Sequence, residues 1–346
     1  MTQQAAERDR GLDVVRAMAI VMVVTIHIAG SSMYLPVGSS DWWGALFWGV
    51  VARPAVPLFF MCSGALMLGR DIPLKRLYGH NMLRIAAAML VWALCYQLDS
   101  VFPGQPDLAG VWNAVKNTLL FRHEFHFYYL HILILVYAFL PVTQVFVRSA
   151  SRRELEYLLI FWFVTGILFP VLRYYMPFSL IYTVELWYMM NMAYAAAGYG
   201  VLGWYLKRYG AVVPAVWYWL ALAGGLAFTF GATAFFSLRS GALDARFLEG
   251  MSPGPMLMAL GLFGLMANRE KWPAPVAKVA GRLALSAFCV YLAHILILHK
   301  EEELGLNVHA APCLIVIPLS VLAVLIPSHL CWEVLRRIPI IRTWLI

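Results

Sequence analysis

The stretch 12–29 of the chain reads LDVVRAMAIVMVVTIHIA, which is long and apolar enough to cross a bilayer as one α-helix. It nevertheless contains Arg16 and His27, and a guanidinium in hydrocarbon costs at least about 2.5–3.5 kcal/mol. Their spacing on a helix corresponds to about 16.5 Å of rise and about 1100° of rotation, so both side chains point to nearly one face. An ionisable pair on one face of a membrane helix indicates a functional site.

The composition predicts a membrane protein. Hydrophobic residues make up 62% of the 346 residues, charged residues make up 13%, and the mean hydropathy is +0.74; a soluble domain carries about 25% charged residues. Apolar stretches of spanning length recur at approximately 12–30, 45–68, 83–102, 127–147, 154–172, 183–203, 212–235, 250–267, 283–299 and 311–335. We predict an all-α fold, a polytopic membrane helix bundle of about ten transmembrane helices, with residues 1–346 forming a single transmembrane domain.

The net charge of +8 follows the predicted topology. With the N-terminus placed in the cytoplasm, eighteen Lys and Arg residues fall inside: Arg8, Arg10, Arg70, Lys75, Arg76, Arg84, Arg148, Arg152, Arg153, Lys207, Arg208, Arg269, Lys271, Lys278, Arg282, Arg336, Arg337 and Arg342. Six Lys and Arg residues fall outside: Lys116, Arg122, Arg173, Arg239, Arg246 and Lys300. Arg53 is predicted at an outer membrane edge. This positive-inside bias predicts that both termini are cytoplasmic. The expected partner of the basic surface is therefore the lipid bilayer and not a nucleic acid.

Cysteine usage predicts neither a disulfide framework nor a metal site. The five cysteines lie in apolar stretches without C-x-x-C spacing, at positions 62, 95, 289, 313 and 331.

The first apolar stretch has no small-residue cleavage site after it, so we expect it to be a membrane span and not a cleaved signal peptide.

Polar residues recur in many of the predicted spans, which favours a wet or ligand-filled cavity between helices. In the second span, Pro54 and Pro57 predict a break near the outer end, and Ser63-Gly64 predicts a close helix approach. Arg53 either binds a substrate from outside or extends its head group to the membrane surface. The segment 99–125 contains a pattern that predicts a short surface helix.

His27 is the strongest candidate for chemistry in the first span. An imidazole is mostly neutral at pH 7, so His27 can accept a proton from a hydroxyl; the alternative is a packing hydrogen bond between helices. Arg16 either faces a cavity, where it can hold an anionic group such as a phosphate, or pairs with Asp13 one turn before it. His126 lies at the predicted outer entry of the fourth span, and Tyr291 shares a helix face with His294 in the ninth.

Together these residues resemble the acyltransferase-3 family of integral membrane acyltransferases. Four elements carry the resemblance, in this order along the chain: Arg16-x10-His27 preceded by Gly11-Leu12-Asp13, the segment 53–64 with its Val-Pro-Leu-Phe-Phe-Met core, the segment 126–141, and Tyr291-x-x-His294. The resemblance covers nearly the whole chain. The chain resembles the short, membrane-only branch of the family, which includes enzymes acetylating enterobacterial common antigen.

The resemblance implies an enzyme of the bacterial inner membrane that moves an acyl group, usually acetyl, from cytoplasmic acyl-CoA to a hydroxyl of a surface polysaccharide or lipid-linked sugar. It implies catalytic roles for His27 and Arg16 and no metal. The acetyl-CoA phosphates are expected at Arg16, Lys75, Arg76 and Arg84, and the carbohydrate acceptor at Arg53, His126, Tyr291 and His294.

The chain departs from the family pattern in the donor region. Relatives often carry Arg-x-x-Arg at the entry to the third span, where this chain has Asn81 and then Arg84. A Trp that often follows the fourth-span histidine is Tyr128, and a Ser expected before the ninth-span tyrosine is Ala287, with Ser286 adjacent.

A transporter or flippase for polysaccharide or lipid-linked sugar is the main alternative to an enzyme, because broken helices and a polar cavity at the midplane suit transport too. No inverted repeat is evident in the sequence. Acyl transfer from acetyl-CoA distinguishes the two functions.

Overall fold

The protein is a bundle of α-helices. The computed structural model describes residues 8–101, 107–122, 124–304 and 311–346, apart from the side chains of Tyr182 and Glu185, and these ranges contain no β-strand. Their α-helices are α1 Arg10–Ser32, α2 Ser40–Val51, α3 Ala55–Met67, α4 Leu74–Arg76, α5 Leu83–Asp99, α6 Leu108–Leu119, α7 Tyr128–Ser149, α8 Arg152–Trp162, α9 Phe169–Leu172, α10 Tyr182–Tyr188, α11 Met192–Tyr209, α12 Ala215–Ser240, α13 Pro253–Met266, α14 Ala274–Glu303, α15 Cys313–Leu335 and α16 Pro339–Trp344. The all-α prediction is confirmed.

Eight helical segments in the described ranges are long and apolar enough to cross a membrane: Arg10–Ser32, Ser40–Met67, Leu74–Asp99, Phe125–Ser149, Arg152–Leu172, Ala215–Ser240, Ala274–Glu303 and Cys313–Leu335. They correspond to eight of the ten predicted spans and make the chain an integral, multi-pass membrane protein. The other two predicted spans, 183–203 and 250–267, correspond to the shorter helices α11 and α13. With 14 residues, α13 is shorter than the ~17 residues that a span requires.

A boundary difference with a clear local cause lies at the predicted span 183–203. Helix α11 begins only at Met192, because Asn191 is its N-cap and accepts a hydrogen bond from the Ala193 amide at 2.9 Å. The preceding residues form the separate short helix α10. The sequence pattern merged two elements that a capping residue keeps apart.

The predicted break in the second span is confirmed. Helix α2 ends at Val51, a turn contains Arg53, and α3 begins at Ala55 with Pro54 as its N-cap residue. The turn places Arg53 at the junction of the two helices.

The predicted close approach at Gly64 is confirmed as well. A Cβ added to Gly64 would lie 1.9 Å from the carbonyl oxygen of Gly200, and one added to Gly203 would lie 2.1 Å from that of Met61. Helices α3 and α11 therefore pack backbone against backbone, which only glycine permits at these positions.

Helix α1 lies inside the bundle, where it packs against α2, α3, α14 and α15. Asp9 caps its first turn by accepting a hydrogen bond from the Leu12 amide at 3.0 Å, and the same carboxylate pairs with Lys207 at 2.6 Å. The carboxylate of Asp13 pairs with Arg8. Most residues of α1 are buried, so its polar side chains face other helices or internal space.

The segment between α5 and α7 contains the helix predicted there. Helix α6 begins after Asp107, whose carboxylate accepts a hydrogen bond from the Gly110 amide at 2.6 Å. Leu108 and Trp112 of this helix are exposed. The Pro103-Gly104-Gln105-Pro106 part of the prediction lies outside the described residues.

Candidate functional site

A cavity of about 620 Å³, called here the inner cavity, opens at the predicted cytoplasmic side. Four arginines line it against a single acidic residue, Asp71: Arg16, Arg70, Arg76 and Arg84. Such a surplus of guanidinium groups suits a polyanion, because guanidinium binds phosphate through parallel hydrogen bonds.

The structure brings most of the predicted donor residues together. Arg16, Arg76 and Arg84 line the inner cavity, whereas Lys75 is exposed and does not belong to its wall. Arg70 also lines the inner cavity, beside Asn81. Arg70 is not among the predicted donor residues, although the basic loop 70–76 is the sequence signal for it.

The four arginines differ in their partners. Arg84 donates a hydrogen bond to the main-chain oxygen of Ile346, and the neighbouring Trp92 indole N–H donates to Leu345 at 3.2 Å. Arg16, Arg70 and Arg76 make no ion pair within the described ranges, and Asp13, the sequence-adjacent candidate for Arg16, pairs with Arg8 instead.

A second cavity of about 210 Å³, the deep cavity, adjoins the inner cavity. Its wall includes Cys62, Ser63, Tyr129 and Tyr291. The two cavities share six lining residues: Arg16, Leu66, Met67, Leu133, Tyr137 and Phe288. Arg16 therefore lies where the cavities meet, and together they form a passage from the basic mouth to Tyr291.

Three histidines from different parts of the chain meet beyond the deep cavity; they are called here the histidine cluster. The ring centroid of His27 lies 5.0 Å from that of His294 and 6.0 Å from that of His126, and the latter two are 5.3 Å apart. His126 and His294 are each 1% exposed, whereas His27 is partly accessible. His27 is thus the member of the cluster that a substrate can reach most directly.

No group of three or more His, Cys, Asp or Glu side chains within the described ranges is arranged to hold a metal ion.

Tyr291 connects the deep cavity to the histidine cluster. Its ring lines the cavity and lies 5.6 Å from the His126 ring and 6.0 Å from the His294 ring. Its hydroxyl donates a hydrogen bond to the main-chain oxygen of His126. The passage from the predicted cytoplasmic side thus ends one residue away from the imidazoles.

His294 is held by its own helix. Its Nδ1 lies 2.8 Å from the carbonyl oxygen of Tyr291 and 3.1 Å from that of Val290. Its Nε2 is buried and has no hydrogen-bond partner among the described residues. His294 lines neither cavity, so the direct substrate contact predicted for it stays a prediction.

Arg53, in the turn between α2 and α3, lies near the histidine cluster. Its charge acts on His27, and the Glu249 carboxylate and the Tyr128 hydroxyl act on it in turn. The Arg53 Nε is buried without a hydrogen-bond partner in the described part of the chain. Glu249 is not among the predicted site residues, because nothing in the spacing of an outer-loop acid predicts that it comes close to Arg53 of the second span.

The arrangement supplies the parts that acyl transfer to a hydroxyl needs. The inner cavity suits an anionic donor, and the deep cavity leads inward to Tyr291. His27 lines neither cavity but offers a base in the histidine cluster next to Tyr291. A second cation, Arg53, is close enough to His27 for its charge to act on that base, and the Glu249 carboxylate acts on Arg53.

Comparison with known sequences agrees with this geometry. The sequence model of the acyltransferase-3 family, described as an acyltransferase domain, matches residues 9–332. No curated protein and no solved structure matches the chain significantly. Since the family model spans all of the helices that build the cavities and the histidine cluster, the chain belongs to the acyltransferase-3 family.

Proposed function

We propose that this membrane acyltransferase moves an acetyl group from cytoplasmic acetyl-CoA to a hydroxyl of a surface polysaccharide or lipid-linked sugar, in the bacterial inner membrane. The observation that carries the proposal is the passage from the arginine-lined inner cavity, through the deep cavity, to Tyr291 beside the histidine cluster.

The donor site follows from the charge of the passage. The CoA phosphates bind at the inner cavity, where Arg16, Arg70 and Arg76 form no ion pair with any described residue. The pantetheine arm continues into the narrower deep cavity. Arg16 and His27 are separated by about 16.5 Å of helix, a span that suits an extended pantetheine arm with its thioester at the far end.

The acceptor reaches His27 from the outer side, past Arg53, Glu249 and His126. Carbohydrate hydroxyls are both donors and acceptors, so a guanidinium and a carboxylate near each other suit them. Tyr291 lies between the deep cavity, which holds the thioester of the donor, and the histidine cluster, which the acceptor hydroxyl reaches.

The transfer proceeds by general base catalysis. His27 takes the proton of the acceptor hydroxyl, the oxygen attacks the thioester carbonyl, and the C–S bond breaks. The CoA thiolate leaves and recovers a proton from His27, so the histidine returns to its neutral form. The other chemical route passes through an acetyl-histidine, in which His27 attacks the thioester before the hydroxyl does.

Replacing His27 tests the proposal. In the purified His27→Ala variant, the rates of acetyl transfer and of acetyl-CoA hydrolysis should fall by about 10²–10⁴-fold, the usual contribution of a general base. His299→Ala is the matched control, because His299 is exposed at the outer end of the same α14 that carries His294 and belongs to neither cavity. Transfer at the wild-type rate in folded His27→Ala contradicts the mechanism, and sugar flux without any acyl transfer by the wild type indicates a transporter.

A further inference from the structure

The hydrogen bonds of His294 fix its tautomer. Carbonyl oxygens only accept hydrogen bonds, so Nδ1 of His294, which faces the carbonyls of Val290 and Tyr291, carries the proton. In a neutral imidazole the other nitrogen then carries no proton, and its lone pair can accept a hydrogen bond. That lone pair belongs to Nε2, the buried atom with no partner in the described ranges.

An unpaired buried acceptor is costly, and its surroundings offer few donors. Among the described residues, the ring centroid of His27 lies 5.0 Å from that of His294, and the centroid of His126 follows at 5.3 Å. Tyr291 has already committed its hydroxyl to the His126 main chain, and Tyr96 has committed its own to Leu292 at 2.9 Å. A centroid separation of 5.0 Å brings the ring nitrogens into hydrogen-bond range when the two edges face each other.

We propose that His294 is a positioning residue for His27: its Nε2 accepts the N–H of His27 and so directs the remaining His27 lone pair towards the acceptor hydroxyl. This inference rests on the proposed function. A rotation of the partly accessible His27 ring closes the contact, whereas the His294 ring is held by its two carbonyls.

The pair gives His27 an orienting partner that is a neutral imidazole instead of a carboxylate. When His27 takes the hydroxyl proton it becomes an imidazolium, and the neutral His294 lone pair stabilises that cation by accepting one of its two N–H groups. An orienting group in hydrogen-bond contact with a catalytic histidine has this role in serine hydrolases, where it is an aspartate. A neutral acceptor fulfils it without placing a second full charge in the membrane interior.

Two substitutions separate the role of each His294 nitrogen. Asn keeps a donor near the position of Nδ1 but has no atom at Nε2, whereas Gln reaches the position of Nε2 with an oxygen that accepts. We expect His294→Asn to lower kcat by about 10–100-fold, the effect of losing one hydrogen bond to a charged group, with KM for acetyl-CoA unchanged. We expect His294→Gln to recover most of that loss.

The pH–rate profile provides a readout that a purely structural role would not move. The acid limb should shift to lower pH in His294→Asn, because protonated His27 loses its stabilising acceptor. The other titratable or charged groups around the pair are His126, Tyr96, Tyr291 and Arg53. His126 is the third imidazole of the cluster, so the comparison is repeated in a His126→Asn background, where the shift should persist.

The outcomes separate the inference from the proposed function. If His27→Ala is inactive while His294→Asn keeps the wild-type kcat and profile, the inference is wrong and the function stands. Equal losses in both His294 variants with an unchanged profile, or a raised acceptor KM at constant kcat, also overturn it in favour of a structural or substrate-binding role. A folded wild type without acyl transfer or hydrolysis overturns both.

Discussion

Arginine is used in opposite ways at the two predicted faces of the protein. At the inner cavity, Arg16, Arg70 and Arg76 form no ion pair in the described part of the chain. At the outer face, Arg246 pairs with Asp244 through two hydrogen bonds of 2.9 and 2.7 Å. Cations left without partners in a cavity suit an external anion, whereas a cation closed by its own carboxylate is part of the scaffold.

The ion pair of Arg246 and Asp244, called here the outer pair, has further partners in neighbouring tyrosines. The Arg246 guanidinium lies over the rings of Tyr174 and Tyr175 at 5.3 and 4.9 Å, and the Tyr175 hydroxyl donates to Asp244 at 3.2 Å. Burial raises the pKa of Asp244, but the hydrogen bonds from Arg246 outweigh it and hold that pKa below its usual value. The comparison therefore predicts functional effects at the inner arginines and stability effects at Arg246.

The largest effect is expected at Arg16, where the two cavities meet. Arg16→Ala should lower kcat/KM for acetyl-CoA by about 10–100-fold, the effect of losing a hydrogen bond between a cation and the anionic donor. The thermal stability of this variant should change little, because Arg16 forms no ion pair among the described residues and its removal leaves no described carboxylate without a partner. Steady-state kinetics and a melting curve of the purified protein measure both quantities.

Asp13→Asn is the matched control for Arg16, one turn earlier on the same helix. Because Asp13 pairs with Arg8, this variant should keep its kinetics. A loss of activity in Asp13→Asn equal to that in Arg16→Ala would show that the two side chains act as a pair, and the contrast between the two faces would fail.

A smaller effect is expected at Arg76, on the wall of the inner cavity. Arg76→Glu should raise KM for acetyl-CoA about tenfold at about 0.01 M salt, where the Debye length is about 30 Å, and much less at about 1 M, where it is about 3 Å. Arg337→Glu is the control, since Arg337 is exposed on the same predicted face but outside the cavity wall. An equal rise in KM for both variants indicates attraction by the whole surface and not a site.

Much of the site could be predicted from local sequence rules. Helical periodicity places Arg16 and His27 on one face, and prolines break the second span where Arg53 lies. Gly64 allows the close packing of α3 and α11 because no Cβ fits there. These features depend on residues a few positions apart, which the sequence displays directly.

The remaining features depend on which helices become neighbours. His294 comes 267 residues after His27, and nothing in either segment states that their rings meet. Asp13 has Arg16 at helical spacing yet pairs with Arg8, because the chain before α1 brings a second cation to it. Lys75 shares the basic loop with Arg76 but lies outside the cavity, since adjacent residues on a helix point in different directions.

The smallest effect is expected at the outer pair, from Asp244→Asn. The amide keeps one acceptor for Arg246 but loses the charge, so the free energy of unfolding should fall by about 1 kcal/mol, less than the full 1.5–3 kcal/mol of a charged hydrogen bond. Acyl transfer should be unchanged at temperatures where the variant is folded. A melting curve and a transfer assay on the same preparation measure both.

The difference in the free energy of unfolding between the wild type and Asp244→Asn should depend on pH, because the pKa of Asp244 is lowered in the folded protein. A carboxyl whose folded pKa lies below its unfolded value of about 3.9 stabilises the protein above that value and loses the contribution as the pH falls through the folded pKa. Wild type and Asp244→Asn should therefore differ in stability at neutral pH and converge below about pH 4. If Asp244→Asn instead loses acyl transfer at an unchanged melting temperature, Arg246 takes part in acceptor binding, and both faces of the protein then use arginine for substrates.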